Sequence, residues 1–306
     1  MVKEMTNEAY HIPVMLNECI EGLNIKENGT YVDLTFGGGG HSREILKYIG
    51  PQGKLYVFDQ DSDAANNIPD DERCLFINHN FKYIKQFLQF LKAIPVDGIL
   101  ADLGISSFQI NEKDKGFAHR LDGPLDMRMD QNATLSAADI VNGYDEKALL
   151  DIFNYYGEIK NAFKLVKEII AYRQQHKIES IATFKEAIVN CIPPREESKY
   201  LSQVFQALRI EVNNELKALE TMLENTPDVL ASGGRLVIMS YHSLEDRLVK
   251  NFLNTGNVKG EVIKDHFGNK QSVFKIITKK PVAPSEEEIT RNKRARSAKL
   301  RIAEKI

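Results

Sequence analysis

Residues 31–42 read YVDLTFGGGGHS, in which Asp33 is followed at alternate positions by Thr35, Gly37 and Gly39. Glycines between a strand-like and a helix-like run let backbone N–H groups approach a ligand closely, and the helix N-terminus adds a positive dipole. Asp59, in YVFDQD, follows Gly39 at the distance where an acid at the end of a second strand holds ribose hydroxyls. A dinucleotide loop requires GxGxxG or GxGxxA. Counting from Gly37 the sixth position is Ser42, and from Gly38 it is Arg43, which counts against a nicotinamide-dependent oxidoreductase. The pattern that fits is DxTxGxG. An acid closing the first strand suits a ligand with a cationic amino group and no pyrophosphate, such as S-adenosylmethionine.

The elements that must position these residues are legible. TYVDL (30–34), KLYVFD (54–59), CLFINHN (74–80) and VDGILADLG (96–104) are strand-like, with helix-period segments at 41–49 and 83–94. Near-continuous apolar strands alternating with helices predict a parallel sheet covered on both faces. Residues 105–133 read as loop and 134–195 as helical insertion, with Thr183 and Glu186 as a capping pair. One long helix is expected through Leu201, Val204, Phe205, Leu208, Val212, Leu216, Leu219 and Leu223, stopped by Pro227. Gly233-Gly234 should turn into a fifth strand at 235–241, followed by a helix capped by Ser243 and Asp246. Segments 261–267 and 272–278 about Gly268-Asn269 suggest a closing hairpin, and 281–306 a surface tail. The expected division is 1–110, 111–200 and 201–306, in which the first and last parts form one sheet domain. The fold class is α/β, a Rossmann-like sheet with an inserted all-helical domain.

The chain has 306 residues, 42% hydrophobic and 27% charged, ordinary for a soluble globular protein. No apolar run approaches a membrane span, and the N-terminus lacks a signal pattern, so a cytoplasmic protein is expected. Three separated cysteines without CxxC, and seven histidines without HExxH, argue against a zinc site. Net charge is −3, yet RNKRARSAKLR (291–301), with Arg294 and Arg296, is strongly basic.

DLTFGGGGHS, DLGISSFQ (102–109), GFAHRLDGPLDMRMD (116–130), FQALRIEVNNEL (205–216), YHSLEDRLVK (241–250) and the basic C-terminal segment together resemble the bacterial MraW-type methyltransferases. The resemblance runs from about 11 to 304 and implies a class I methyltransferase sheet with a helical insertion. It implies S-adenosylmethionine as cofactor and, as reaction, methylation of the exocyclic N4 of a cytosine in small-subunit ribosomal RNA near the decoding site. The small subunit and its RNA would be the partners, with no membrane and no obligatory protein partner. Carried over by position, cofactor contacts fall on Gly39, Gly40, His41, Asp59, Phe81, Asp102 and Gln109. Gly38 stands where some relatives carry a charged residue, which should alter loop mobility more than chemistry.

A cytosine amino group is a poor nucleophile, and acceptors on its N–H groups favour the reactive geometry. Many amino-methyltransferases place Asn/Asp-Pro-Pro-aromatic after the fourth strand. Here Asp102-Leu-Gly-Ile keeps the acid, which would serve the cofactor, the amino group, or both. His242, at the end of the fifth strand, faces the same crevice and either contacts RNA or packs. A hydrolase elbow is absent, because GISSF (104–108) fails at its last position. DGPLDMRMD, with Asp126 and Arg128, is an entrance loop for an unstacked base. Its acids lack calcium-loop spacing, so no metal is expected. Arg209 and Asn213, one turn apart, are further substrate candidates, and the basic tail would bind phosphates. A non-catalytic RNA-binding assembly factor is the remaining alternative.

Overall fold

The computed structural model describes residues 13–264 and 272–306. Its strands are β1 (Thr30–Asp33), β2 (Lys54–Phe58), β3 (Cys74–Ile77), β4 (Val96–Asp102), β5 (Leu230–Ser240), β6 (Phe274–Ile276) and β7 (Lys299–Lys305). Its helices are α1 (Leu16–Leu23), α2 (Gly40–Tyr48), α3 (Ile84–Phe90), α4 (Ser107–Asn111), α5 (Ala137–Gly143), α6 (Glu146–Tyr155), α7 (Ala162–Arg173), α8 (Ile181–Ile188), α9 (Glu197–Asn213), α10 (Glu215–Val229), α11 (Ser243–Thr255) and α12 (Glu286–Arg291). No described helix is long and apolar enough to cross a membrane.

The chain divides into two compact units. One holds the chain up to Asp59, Asp63–Gly104 and Leu219–Ile306. It carries a sheet of order β3-β2-β1-β4-β5-β7-β6. β1 to β5 run parallel, and β7 is antiparallel to both β5 and β6. This is the expected Rossmann-like sheet. Alternate residues reach opposite faces, as a period of two requires. Val32, Ile99, Ala101, Leu236 and Ile238 enter one core, while Tyr31, Leu100, Val237 and Met239 enter the other. Because both faces are buried, these strands read as continuous apolar runs. From β1 the chain proceeds to β2 and β3 on one side and later to β4 and β5 on the other. The β1/β4 boundary is therefore a topological switch point, where ligands bind beyond the strand carboxyl ends.

The second unit holds Gln60–Ser62 and Ile105–Ala218. Its core gathers apolar faces of α5 to α9, among them Leu149, Phe153, Leu165, Ile169, Phe184, Val204 and Leu208. The unit extends past the expected boundary at 200. The α9 stripe packs into this helical core, so α9 belongs here and not with the C-terminal sheet strands.

Several expectations need correction. The single long helix is two, separated by Asn214 in the left-handed region at φ 51°, whose N–H caps α9. Pro227 lies inside α10 without ending it. Its missing N–H leaves the Leu223 carbonyl without its helical donor, and the Thr226 hydroxyl donates to that carbonyl at 2.6 Å. β5 begins at Leu230, ahead of Gly233-Gly234, with a register shift opposite Val96 and Gly98. Ser180, not Thr183, caps α8, with Thr183 as its box partner. α4 interrupts the loop expected at 105–133, and α1 had not been anticipated.

The largest correction concerns the C-terminus. Lys299–Lys305 is no surface tail but an interior strand between β5 and β6. β6 therefore pairs with β7, and the described residues 261–264 form no strand. The expected turn at Gly268-Asn269 lies outside the described residues.

Candidate functional site

In the sheet unit, Asp33 ends β1 and is 1% exposed. Its carboxylate accepts the Ser42 hydroxyl at 2.6 Å and the Thr35 N–H at 3.1 Å. Asp33 therefore fastens the glycine loop to the first turn of α2. Gly37, at φ 49°, donates its N–H to Asp59 Oδ2 at 2.8 Å, so the loop sets the acid that follows β2. Asn67 donates to the Gly37 carbonyl at 3.0 Å and Arg43 to the Gly38 carbonyl at 2.5 Å.

The four glycines are not equivalent. Gly39 caps α2 at φ 72°, and a Cβ there would lie 2.8 Å from the Phe36 ring. A Cβ on Gly40 would meet Pro13 at 2.3 Å, a packing constraint that needs no ligand. A Cβ on Gly38 would meet nothing within 4 Å. Gly39→Ala is therefore expected to destabilise the protein by about 1–2 kcal/mol through the left-handed backbone alone. Gly38→Ala should be near neutral, and paired denaturant titrations would check the contrast.

His41 is buried, its Nε2 3.2 Å from the Val14 carbonyl. Phe81 opens a 3₁₀ turn capped by Asn80 and packs partly on the sheet core. Asp102 closes β4, and its N–H donates to Thr35 Oγ1 at 2.7 Å, which joins the ends of β4 and β1. Its Oδ1 accepts the Tyr241 hydroxyl at 2.7 Å. Burial pushes the Asp102 carboxyl up to about 6, against the opposing pull of His41 and Tyr241 and with a smaller push from Asp33 and Glu245. Burial, with Asp102 beside it, pushes the Tyr241 hydroxyl well above its usual range.

His242 is the N-cap of α11, its Nδ1 accepting the Glu245 N–H at 3.4 Å. Its Nε2 stands 3.3 Å from Glu245 Oε1. Glu245 also accepts the Tyr241 N–H at 2.9 Å. The expected cap pair of Ser243 and Asp246 is thus displaced by one residue. Asp246 instead accepts from Arg301 at 2.7 Å and from Lys299 at 3.3 Å. Of the remaining basic C-terminal residues, Arg296 is exposed and Arg294 is half-buried.

In the helical unit, Gln109 is buried and committed within the protein. Its Oε1 accepts the Ser106 N–H at 3.0 Å and its Nε2 donates to Asp61 at 2.9 Å. Lys115 completes this cluster, 2.5 Å from Asp61. The DGPLDMRMD segment is a built loop. Asp126 takes Arg128 Nε at 2.8 Å and Nη2 at 2.7 Å, and Arg128 Nη1 donates to the Ala133 carbonyl at 2.8 Å. Asn213 accepts the Met129 N–H at 2.8 Å and donates to the Met127 carbonyl at 2.7 Å. Arg209 forms a bidentate pair with Glu215 at 2.8 and 2.9 Å. Asp126, Arg128 and Asn213 thus hold the loop, Arg209 is committed to Glu215, and the acids at 122 and 130 accept from the backbone of Gly123 and Asn132.

The model of the MraW methylase family matches residues 8–306. The chain belongs to that family. A curated relative from Parabacteroides distasonis, named ribosomal RNA small subunit methyltransferase H, is 54% identical over 99% of this chain and 100% of its own. The protein of the same name from Amoebophilus asiaticus is 49% identical over 99% of both chains. A solved rRNA methylase from Streptococcus thermophilus covers 95% of this chain and 93% of its own, at 13% identity and a TM-score of 0.42.

In this MraW-family chain, sequence reasoning missed the residues that act on the named ones from a distance. Tyr241 stands beside His242 in the sequence, and its hydroxyl reaches Asp102 across 139 positions. Thr35 is visible in DxTxGxG, but its bond to β4 is not. Arg43, Asn67, Asp61 and Lys115 carry no motif, and only the folded chain brings them to their partners.

Proposed function

We propose that the protein is an S-adenosylmethionine-dependent methyltransferase of small-subunit ribosomal RNA, acting on the exocyclic N4 of a cytosine near the decoding site. The observation that supports it most is the family match across 8–306, joined to a glycine loop that holds Asp59 at the switch point. The donor set fits the cofactor. Gly37 and Gly39 supply a loop of positive φ, and Asp59 supplies a carboxylate for ribose hydroxyls. Phe81, which opens the turn after the third strand, lies by the adenine.

The cofactor, when bound, supplies an electrophilic sulfonium methyl. The protein aligns the acceptor and manages its protons. Asp102 accepts the amino N–H groups of the cytosine, which favours the pyramidal nucleophile and stabilises the positive charge that develops on nitrogen. Its carboxyl, at about 6, is ionised at neutral pH yet basic enough to take a proton. His41 and Gln109 shape their surroundings from buried positions. Asp126, Arg128 and Asn213 keep the DGPLDMRMD loop in form for the unstacked base, and Arg209 is held by Glu215 one turn before Asn213. His242 acts as a helix cap that sets Tyr241. Arg296, exposed beside half-buried Arg294, contacts phosphate.

The test is transfer of labelled methyl groups to small subunits that lack the modification, followed by nucleoside analysis. N4-methylcytidine is expected, with assembled subunits preferred over naked RNA. Label on another nucleoside would remove the cytosine assignment, and subunit binding without label would favour the assembly-factor reading. Asp59→Ala is expected to weaken cofactor binding about 10–100-fold, as lost charge-assisted bonds to two hydroxyls imply. Calorimetry with S-adenosylmethionine reads this directly, and unchanged affinity would refute the ribose assignment.

A further inference from the structure

We propose that Tyr241 is a positioning residue for methyl transfer, holding Asp102 as the ionised acceptor for the protons of the attacking amino group. The inference rests on the functional reading above and gives Tyr241 a role in the reaction that reading does not assign. Its basis is geometric. Two groups orient the end of β4. The Asp102 N–H is fixed by Thr35 Oγ1 at 2.7 Å, and the carboxylate Oδ1 by the Tyr241 hydroxyl at 2.7 Å. Among the described residues Oδ2 has no hydrogen bond, so with Oδ1 occupied it is the oxygen left to receive an acceptor amino group.

Tyr241 is itself held. Its N–H donates to Glu245 Oε2 at 2.9 Å, within the capping box that opens α11. Its ring covers Gly104, where φ is 101° and a Cβ would lie 3.7 Å from Tyr241 Cδ2. The ring is placed by backbone and packing, and the hydroxyl alone meets the carboxylate.

The direction of that bond follows from the surroundings. The groups facing Asp102 are His41 from α2, Asp33 from β1, Glu245 from α11, and Tyr241. Cys19 of α1 is fully buried close by, and its thiol is pushed well up by burial and by Asp102, so it stays neutral. Two of these neighbours are acids that oppose ionisation of Asp102. The Tyr241 hydroxyl, kept protonated, can only donate to a carboxylate. It thereby offsets the two acids and lowers the pH at which Asp102 becomes an acceptor.

The test compares wild type with Tyr241→Phe, which keeps the ring and removes the donor. Aspartate carboxyls labelled with carbon-13 are titrated by NMR, the Asp102 signal being assigned by its absence in Asp102→Asn. Single-turnover methyl transfer is followed over the same pH range. The Asp102 midpoint and the acid limb of the rate are both expected to move up by about one pH unit, as loss of a charge-assisted donor implies. The rate should fall about tenfold on the acid limb and recover to within about twofold above pH 8. An unmoved carboxyl midpoint overturns the inference. So does a moved midpoint with an unmoved rate profile, because Asp102 would then be held without effect on the reaction. If wild type transfers no methyl group, the functional reading fails separately, and the carboxyl titration still decides whether Tyr241 holds Asp102 ionised.

Discussion

Asp102→Asn is expected to lower methyl transfer by about 10²–10⁴-fold while making the protein more stable at alkaline pH. The two effects have one cause. Asp102 closes β4 in a half-buried, partly acidic setting, and its carboxyl is pushed up to about 6 from an ordinary 3.8. A carboxyl raised on folding binds its proton more tightly in the native state than in the unfolded chain. Its contribution to stability is therefore full below the unfolded value and is lost as pH rises through about 6. Above that pH wild type carries a buried charge that the unfolded chain would hold in water, at a cost of about 2–3 kcal/mol for a shift of this size. Asparagine keeps the shape and still accepts the Tyr241 hydroxyl without the charge. Urea titrations near pH 4 and pH 8 should show the variant gaining on wild type by roughly that amount between the two. Loss of activity accompanied by lower stability at pH 8 would make Asp102 a structural anchor and remove it from the reaction.

The legible part of this molecule was the part with local periodicity. β1 and β4 are buried on both faces and, with β2 and the edge strand β3, announce themselves as apolar runs. The glycine loop between β1 and α2 is recognisable because Gly37 and Gly39 adopt backbone angles that other residues resist. The positions of Asp59 after β2 and Asp102 at the end of β4 were legible because strand ends can be counted. What the sequence hid was long-range pairing. Asp33 is visible as a strand-end acid, but the Ser42 and Thr35 groups that bond its carboxylate are not. Asn213 and Arg209 read as substrate contacts because their spacing on α9 is visible, whereas the Met127 and Met129 backbone and Glu215 that engage them are not. Asn214 broke the long stripe without glycine or proline, since asparagine tolerates the left-handed region.

The C-terminal strand misled for a different reason, and the second large effect is expected there. Removing residues 299–306 should abolish the cooperative unfolding transition, not merely weaken RNA binding. Lys299, Arg301 and Lys305 dominate the local charge and make the segment resemble a solvated tail. Yet β7 pairs with β5 over Arg235–Ser240 and with β6 over Phe274–Ile276. Leu300 and Ala303 are fully buried, and Ile302 nearly so. Burial of large aliphatic side chains contributes about 1.5–3 kcal/mol each, and loss of the strand would also expose the ladders of two neighbours. Together these approach the whole stability of a typical domain, about 5–15 kcal/mol. The charges on this strand serve the fold as well, since Arg301 and Lys299 meet Asp246 of α11. The phosphate contact proposed for this segment therefore falls to the exposed Arg291, Lys293 and Arg296, which precede the strand. Neutralising these three to Gln should leave the thermal midpoint nearly unchanged and reduce the salt dependence of RNA binding by about one unit of slope per residue. Calorimetry on the truncated chain and salt titrations on the triple variant would separate the two halves. A truncated protein that still melts cooperatively would return the whole segment to the status of a tail. A triple variant that loses its fold would show that the charge before β7 is structural too.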